Sequence, residues 1–138
     1  MPSIFSKIAA GQVPCARVWE NDEFLAFLDI QPVAPGHTLV IPKKEVDYFF
    51  DLDEVAYARL MEACRVIAIG LKKATGCRRV CMAVFGFEVP HAHVHLIPMQ
   101  SLVQFPFPAR QKAGQEVLEA MAGRIRQELA ASGGAKGR

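Results

Sequence analysis

The stretch Val89-Pro90-His91-Ala92-His93-Val94-His95-Leu96-Ile97-Pro98-Met99 combines an apolar back with a histidine front. Side chains alternate between the two faces of a strand. Read as a strand over residues 89–99, it puts His91, His93 and His95 on one face. Ala92, Val94 and Leu96 point the other way, into a core. The chain has four histidines, so three share this face and only His37 lies elsewhere. Packing does not explain a wholly imidazole face. A metal ion could take two adjacent members together with His37. However, His91 and His95 would stand about 14 Å apart along a strand, too far to share one ion, and one histidine would have no task. Covalent catalysis at phosphorus gives all three a role. His93 attacks, one flank donates to a phosphoryl oxygen or the leaving group, and the other orients His93.

Working outward, local patterns supply the rest of a small domain. Residues 4–10 read as a short helix with Ser3 as N-cap, interrupted by Val13-Pro14. Residues 16–20 and 23–30 read as strands joined at Asn21-Asp22. Residues 31–36, with two prolines and a glycine, form a loop, and residues 37–41 a third strand closed by Pro42. The period then changes. Val55, Leu60, Met61, Cys64, Ile67, Ala68 and Leu71 recur at helical spacing within residues 51–75. Asp51 is the expected cap, Glu54 its capping-box partner, and Gly76 the stop. Residues 79–85 form a strand, connected tightly at Gly86 to the histidine strand. An aromatic loop, Phe105-Pro106-Phe107-Pro108, is expected to pack against a surface, and residues 109–131 form the second main helix. The expected class is α+β, with about five mostly antiparallel strands and two main helices. One domain covers residues 1–131, and residues 132–138 form a flexible tail.

The totals narrow the function. The chain has 138 residues, and 51% are hydrophobic, enough for one real core. Sixteen basic and fourteen acidic residues leave a net charge of +2 with no basic stripe, which argues against nucleic acid as a partner. Residues 1–11 lack a signal-peptide core, and no run approaches the roughly 20 apolar residues of a membrane helix. A soluble cytoplasmic protein with no membrane partner is expected. Its four cysteines contain no CxxC pair and are expected to be reduced and structural.

The His-x-His-x-His run followed by two apolar residues and Pro98 resembles the signature of the histidine triad (HIT) family of nucleotide hydrolases and transferases. Ile4-Phe5-Ser6-Lys7-Ile8, Phe24-Leu25-Ala26-Phe27-Leu28-Asp29 and Ala34-Pro35-Gly36-His37-Thr38-Leu39-Val40-Ile41-Pro42-Lys43-Lys44 resemble the family's N-terminal half, in matching order. The resemblance implies an α+β sheet domain that pairs into a homodimer through a continuous sheet. It implies that His93 attacks the α-phosphorus to give a nucleotidyl-histidine, that His95 contacts the phosphate, that His91 holds His93, and that His37 is the fourth histidine of the site. It also implies that Asp29 takes the ribose hydroxyls, a task suited to a carboxylate, and that Ile4, Phe5, Ile8, Phe27, Leu28 and Ile30 wall the purine. No cofactor is implied. Some bacterial relatives bind structural zinc through cysteines where Ser3 and Ser6 stand here, so no metal is expected.

Gly86-Phe87-Glu88-Val89 departs from the family pattern, with Phe87 in place of the usual glutamine and no asparagine upstream. The expected activity is hydrolysis or nucleotidyl transfer on purine nucleoside phosphoramidates or dinucleoside polyphosphates. The alternative is a purine nucleotide-binding module with little catalysis, the Phe87 change having removed support for the leaving group. Lys43 and Lys44 read as a solvated pair at a strand end rather than a phosphate site.

Overall fold

The computed structural model describes residues 1–102 and 111–131. A short helix, α1 (Ile4–Ala9), precedes strands β1 (Arg17–Glu20), β2 (Phe24–Leu28) and β3 (Thr38–Pro42). Helix α2 (Glu54–Thr75), strands β4 (Arg79–Ala83) and β5 (Val94–Met99), and helix α3 (Gln115–Ala131) complete the order. The five strands form one antiparallel sheet in the order β1-β2-β3-β5-β4. This is the α+β sheet expected, with two main helices and the short α1. The aromatic loop at 105–108 and the tail at 132–138 lie outside the described residues, as do residues 109–110 at the expected start of the last helix.

Strands β2, β3 and β5 are buried along their whole length, because the sheet is covered on both sides. Alternation sorts their side chains into two clusters. Phe24, Ala26, Leu28, Val40, Val94 and Leu96 face α2 and α3 with Leu60, Ile67, Leu71 and Ile125. Leu25, Phe27, Leu39 and Ile41 face the other way, against Phe5 and Ile8 of α1. Helices α2 and α3 approach closely at Gly70, where an added Cβ would lie 2.5 Å from Leu129 Cδ2. Cys64 is buried in the main core, and burial pushes its thiol up to about 12. The four cysteines are unpaired.

Three local expectations need correction. Helix α2 is capped by Asp53, whose side chain accepts from the Ala56 N–H, not by Asp51. Asp51 ends a separate turn of 3-10 helix, Phe49–Asp51, and Leu52 is extended. Both aspartates can cap, and the choice between them rests on Leu52 and Phe49 packing with the main core. Helix α3 begins at Gln115, and residues 111–114 are non-helical. The histidine strand is shorter than expected, since pairing starts at Val94. Ahead of it, the Ala92 N–H donates to the Val46 carbonyl, and the His91 N–H to the Val89 carbonyl. Pro90 has no N–H with which to extend the ladder.

Candidate active site

The sheet face opposite α2 and α3 carries a cavity of about 240 Å³. Helix α1 forms one wall with Ile4, Phe5 and Ile8, and Phe27 and Leu39 form the sheet wall. His93 and His95 line it together with Asp29, Leu28 and Ile30. Phe27 and Leu39 reach it because they alternate away from the main core. Ser3 caps α1 by accepting from the Ser6 N–H, which sets the helix that presents Phe5. The Phe5 ring stands edge-to-face on His93, with centroids 5.0 Å apart.

Hydrogen bonds set which nitrogen of each imidazole carries a proton. His93 Nδ1 lies 2.7 Å from the His91 carbonyl oxygen. A carbonyl only accepts, so Nδ1 is protonated, and in the neutral ring Nε2 holds the lone pair. His37 Nδ1 accepts the Val33 N–H at 3.2 Å, which puts the proton of the neutral His37 ring on Nε2. His37 Nε2 then donates to His95 Nδ1 at 2.9 Å. His95 in its neutral form therefore carries its proton on Nε2. The pair presents a nucleophilic nitrogen on His93 and an N–H donor on His95, with ring centroids 5.1 Å apart.

Asp29 sits beside this relay. Its Oδ1 accepts the Gln31 N–H at 2.9 Å, closing the turn after β2. Its Oδ2 lies 3.7 Å from His37 Nε2. Ligand atoms of Asp29, His37 and His95 all fall within 4.8 Å of one another, the spacing of a metal site. The Val33 N–H on His37 Nδ1 opposes that use, since it leaves Nε2 protonated, and a protonated nitrogen has no lone pair to give.

His91 does not share an open face with the other two. It is fully buried and does not line the cavity. Its Nε2 donates to the Pro42 carbonyl at 2.7 Å, and its Nδ1 lies 2.7 Å from Ser3 Oγ and 3.3 Å from Ser6 Oγ. The row of three thus divides into two residues at the cavity and one behind them, because the backbone turns at His91 before β5 begins. His91 contacts His93 through its main-chain carbonyl, which the side-chain pattern could not indicate.

Burial holds the His91 imidazole below the ordinary histidine range, with a further push down from His93, against opposing pulls from the Pro42 carbonyl and Glu45. The unfolded chain therefore binds this proton more tightly than the folded one. The stabilisation is complete above the unfolded value of about 6.5 and is lost as pH falls below it. Melting temperature is expected to drop as pH falls below about 6.5, and the drop should be smaller in His91→Asn. Equal slopes in the two proteins would show that His91 does not carry the effect.

Phe87 is 94% exposed and does not line the cavity, so its ring does not occupy it. The neighbouring Glu88 does line it, as does Cys15. Sequence reasoning passed over both. A carboxylate just ahead of the triad was the available signal for Glu88, and nothing marked Cys15. Lys43 pairs with Glu20 Oε2 at 2.6 Å and Lys44 is exposed, so neither is part of the cavity lining.

The HIT domain family model matches residues 10–102. A HIT-like protein of Borreliella burgdorferi is 35% identical over 121 residues, covering 83% of this chain and 87% of its own length. The crystal structure of a Hit-like protein from Bartonella henselae superposes with a TM-score of 0.82 at 34% identity, covering 91% of this chain and 95% of that one. A histidine triad nucleotide-binding protein of Sulfolobus tokodaii superposes with a TM-score of 0.81 at 28% identity, covering 93% and 92%.

Proposed function

The chain belongs to the HIT domain family, and we propose that it hydrolyses purine nucleoside phosphoramidates, or the related dinucleoside polyphosphates, through a nucleotidyl-His93 intermediate. Family membership supports a nucleotide-binding or hydrolase-type function. The observation that carries the finer reading is the tautomer pattern. A lone pair on His93 Nε2 and a proton on His95 Nε2 line one apolar cavity. In the first step His93 Nε2 attacks the α-phosphorus, and the bond to the leaving amine or phosphate breaks as the phosphorus–histidine bond forms, the leaving amine taking its proton from solvent. The His95 N–H donates to the phosphoryl oxygen as charge grows there. Water then attacks phosphorus, the histidine bond breaks, and the 5′-nucleotide leaves. The purine lies between α1 and the sheet, against Ile4, Phe5, Ile8 and Phe27 with Leu28 and Ile30 beside it, and Asp29 receives the ribose hydroxyls.

The name of the Sulfolobus relative, a nucleotide-binding protein, supports the same substrate class. A homodimer joined at β4 completes the reading. That strand is at the sheet edge, and Met82, Val84 and Phe85 on and after it are exposed. No described helix is long and apolar enough to cross a membrane, and we place the protein in the cytoplasm.

The deciding experiment is intact-protein mass spectrometry of a His95→Gln variant mixed with an adenosine phosphoramidate. A gain of one adenylyl group, mapped to His93, is expected. Nucleotide binding without an adduct, and with no nucleotide released by the unmodified protein, would instead select the binding-module alternative.

A further inference from the structure

A polar cluster lies behind the triad, outside the cavity. Glu45 Oε1, in the loop after β3, accepts the Ser3 N–H at 2.8 Å and the Ser6 hydroxyl at 2.6 Å. Ser3 is nearly fully buried, and its hydroxyl meets His91 Nδ1 at 2.7 Å. His91 Nε2 must donate to the Pro42 carbonyl, so Nδ1 of the neutral ring accepts and the Ser3 hydroxyl donates. The Val46 carbonyl holds the backbone of the next residue, Ala92. The end of β3 and the loop after it thus hold the His91 segment at two points, Pro42 on the ring and Val46 on the backbone, and the first turn of α1 through Glu45. Neither Ser3 nor Glu45 is assigned a part in the chemistry above.

We propose that Ser3 and Glu45 are positioning residues for the nucleophile. They act through His91, locking its ring so that its carbonyl is aimed at His93 Nδ1 and keeps the lone pair on Nε2. The inference rests on the hydrolase reading and deepens it. The same clasp fixes α1, which carries Phe5 against His93 and Ile4 and Ile8 against the base. Purine wall and nucleophile are therefore tied to one support. If Ser3 were only a helix cap, its loss would loosen the wall and weaken nucleotide binding. As a positioning residue, its loss disturbs the attack itself, where small misplacements are costly.

The test uses the full-length protein, with Ser3→Ala and Glu45→Ala set against the conservative Ser3→Thr and Glu45→Gln. Thr keeps the hydroxyl and Gln keeps the accepting oxygen. With an adenosine phosphoramidate, Ser3→Ala is expected to lower kcat about tenfold, with a smaller rise in KM from the loosened α1. Ser3→Thr should recover most of the rate, and the Glu45 pair should behave likewise. A rise in KM at constant kcat would overturn the proposal and leave a wall-packing role. A second readout does not need turnover. Long-range proton–nitrogen NMR of the imidazoles should show His93 as a single Nδ1–H tautomer in the unmodified chain and as a mixture in Ser3→Ala, while the Pro42 carbonyl keeps His91 as Nε2–H in both. An unmodified chain that shows no turnover would count against the hydrolase reading alone, and the clasp would still be judged by this spectrum. An unchanged His93 spectrum in Ser3→Ala would overturn the clasp, whatever the rates.

Discussion

His93→Ala is expected to reduce phosphoramidate turnover by about 10⁴-fold or more, the scale seen when a covalent nucleophile is removed. The fold should survive. His93 is buried at the cavity wall rather than in the main core, and its loss leaves one unmet acceptor, the His91 carbonyl. That costs on the order of 1–3 kcal/mol, or several degrees in melting temperature for a domain of this size. Nucleotide binding should persist, because the apolar walls and Asp29 are untouched. The measurement is steady-state turnover alongside calorimetric binding of a 5′-nucleotide. Residual turnover close to that of the unmodified protein would remove His93 from the mechanism. Loss of both binding and fold would mean that its role is structural.

His95→Leu is expected to lower kcat by about 10²–10³-fold, the loss on removing one donor to a developing oxyanion. It should also destabilise the protein. His37 Nε2 would lose its 2.9 Å acceptor in a buried position, at a cost of about 1–3 kcal/mol. Asp29 Oδ2, 3.7 Å away, can recover part of that by a small shift. The double variant His37→Leu with His95→Leu removes donor and acceptor together, though it also leaves the Val33 N–H without its acceptor, and it should be destabilised by less than the sum of the single variants His37→Leu and His95→Leu. Thermal melts of the three variants check the sum, and single-turnover kinetics check the rate. A double variant destabilised by the full sum of the two single variants would contradict the His37–His95 hydrogen bond. An unchanged rate in His95→Leu would remove it as the phosphate donor.

Much of the architecture was legible because it follows from local chemistry. The apolar run at Phe24–Leu28, the helical spacing from Leu60 to Leu71, the Ser3 cap and the left-handed Gly76 at the end of α2 each act within a few residues. The errors fall where two local solutions were nearly equal. Asp51 and Asp53 can both cap a helix, and the packing of Leu52 and Phe49 against the core favours the second. The end of β5 was misjudged because pairing stops where the Val46 carbonyl, 46 positions earlier, takes the Ala92 N–H.

The site divides in the same way. Three histidines at alternate positions before an apolar run marked the candidate site without any structure, but the single imidazole face they suggested divides, with His93 and His95 at the cavity and His91 behind them. Which nitrogen holds each proton was beyond the sequence. It depends on acceptors and donors brought from elsewhere in the chain, namely the Pro42 carbonyl, the Val33 N–H and the Ser3 hydroxyl. The place of the candidate site was written in residue types and spacing, whereas the proton positions on His91, His93 and His95 were decided by tertiary hydrogen bonds. An imidazole's two nitrogens are equivalent in sequence and are told apart only by what each one touches.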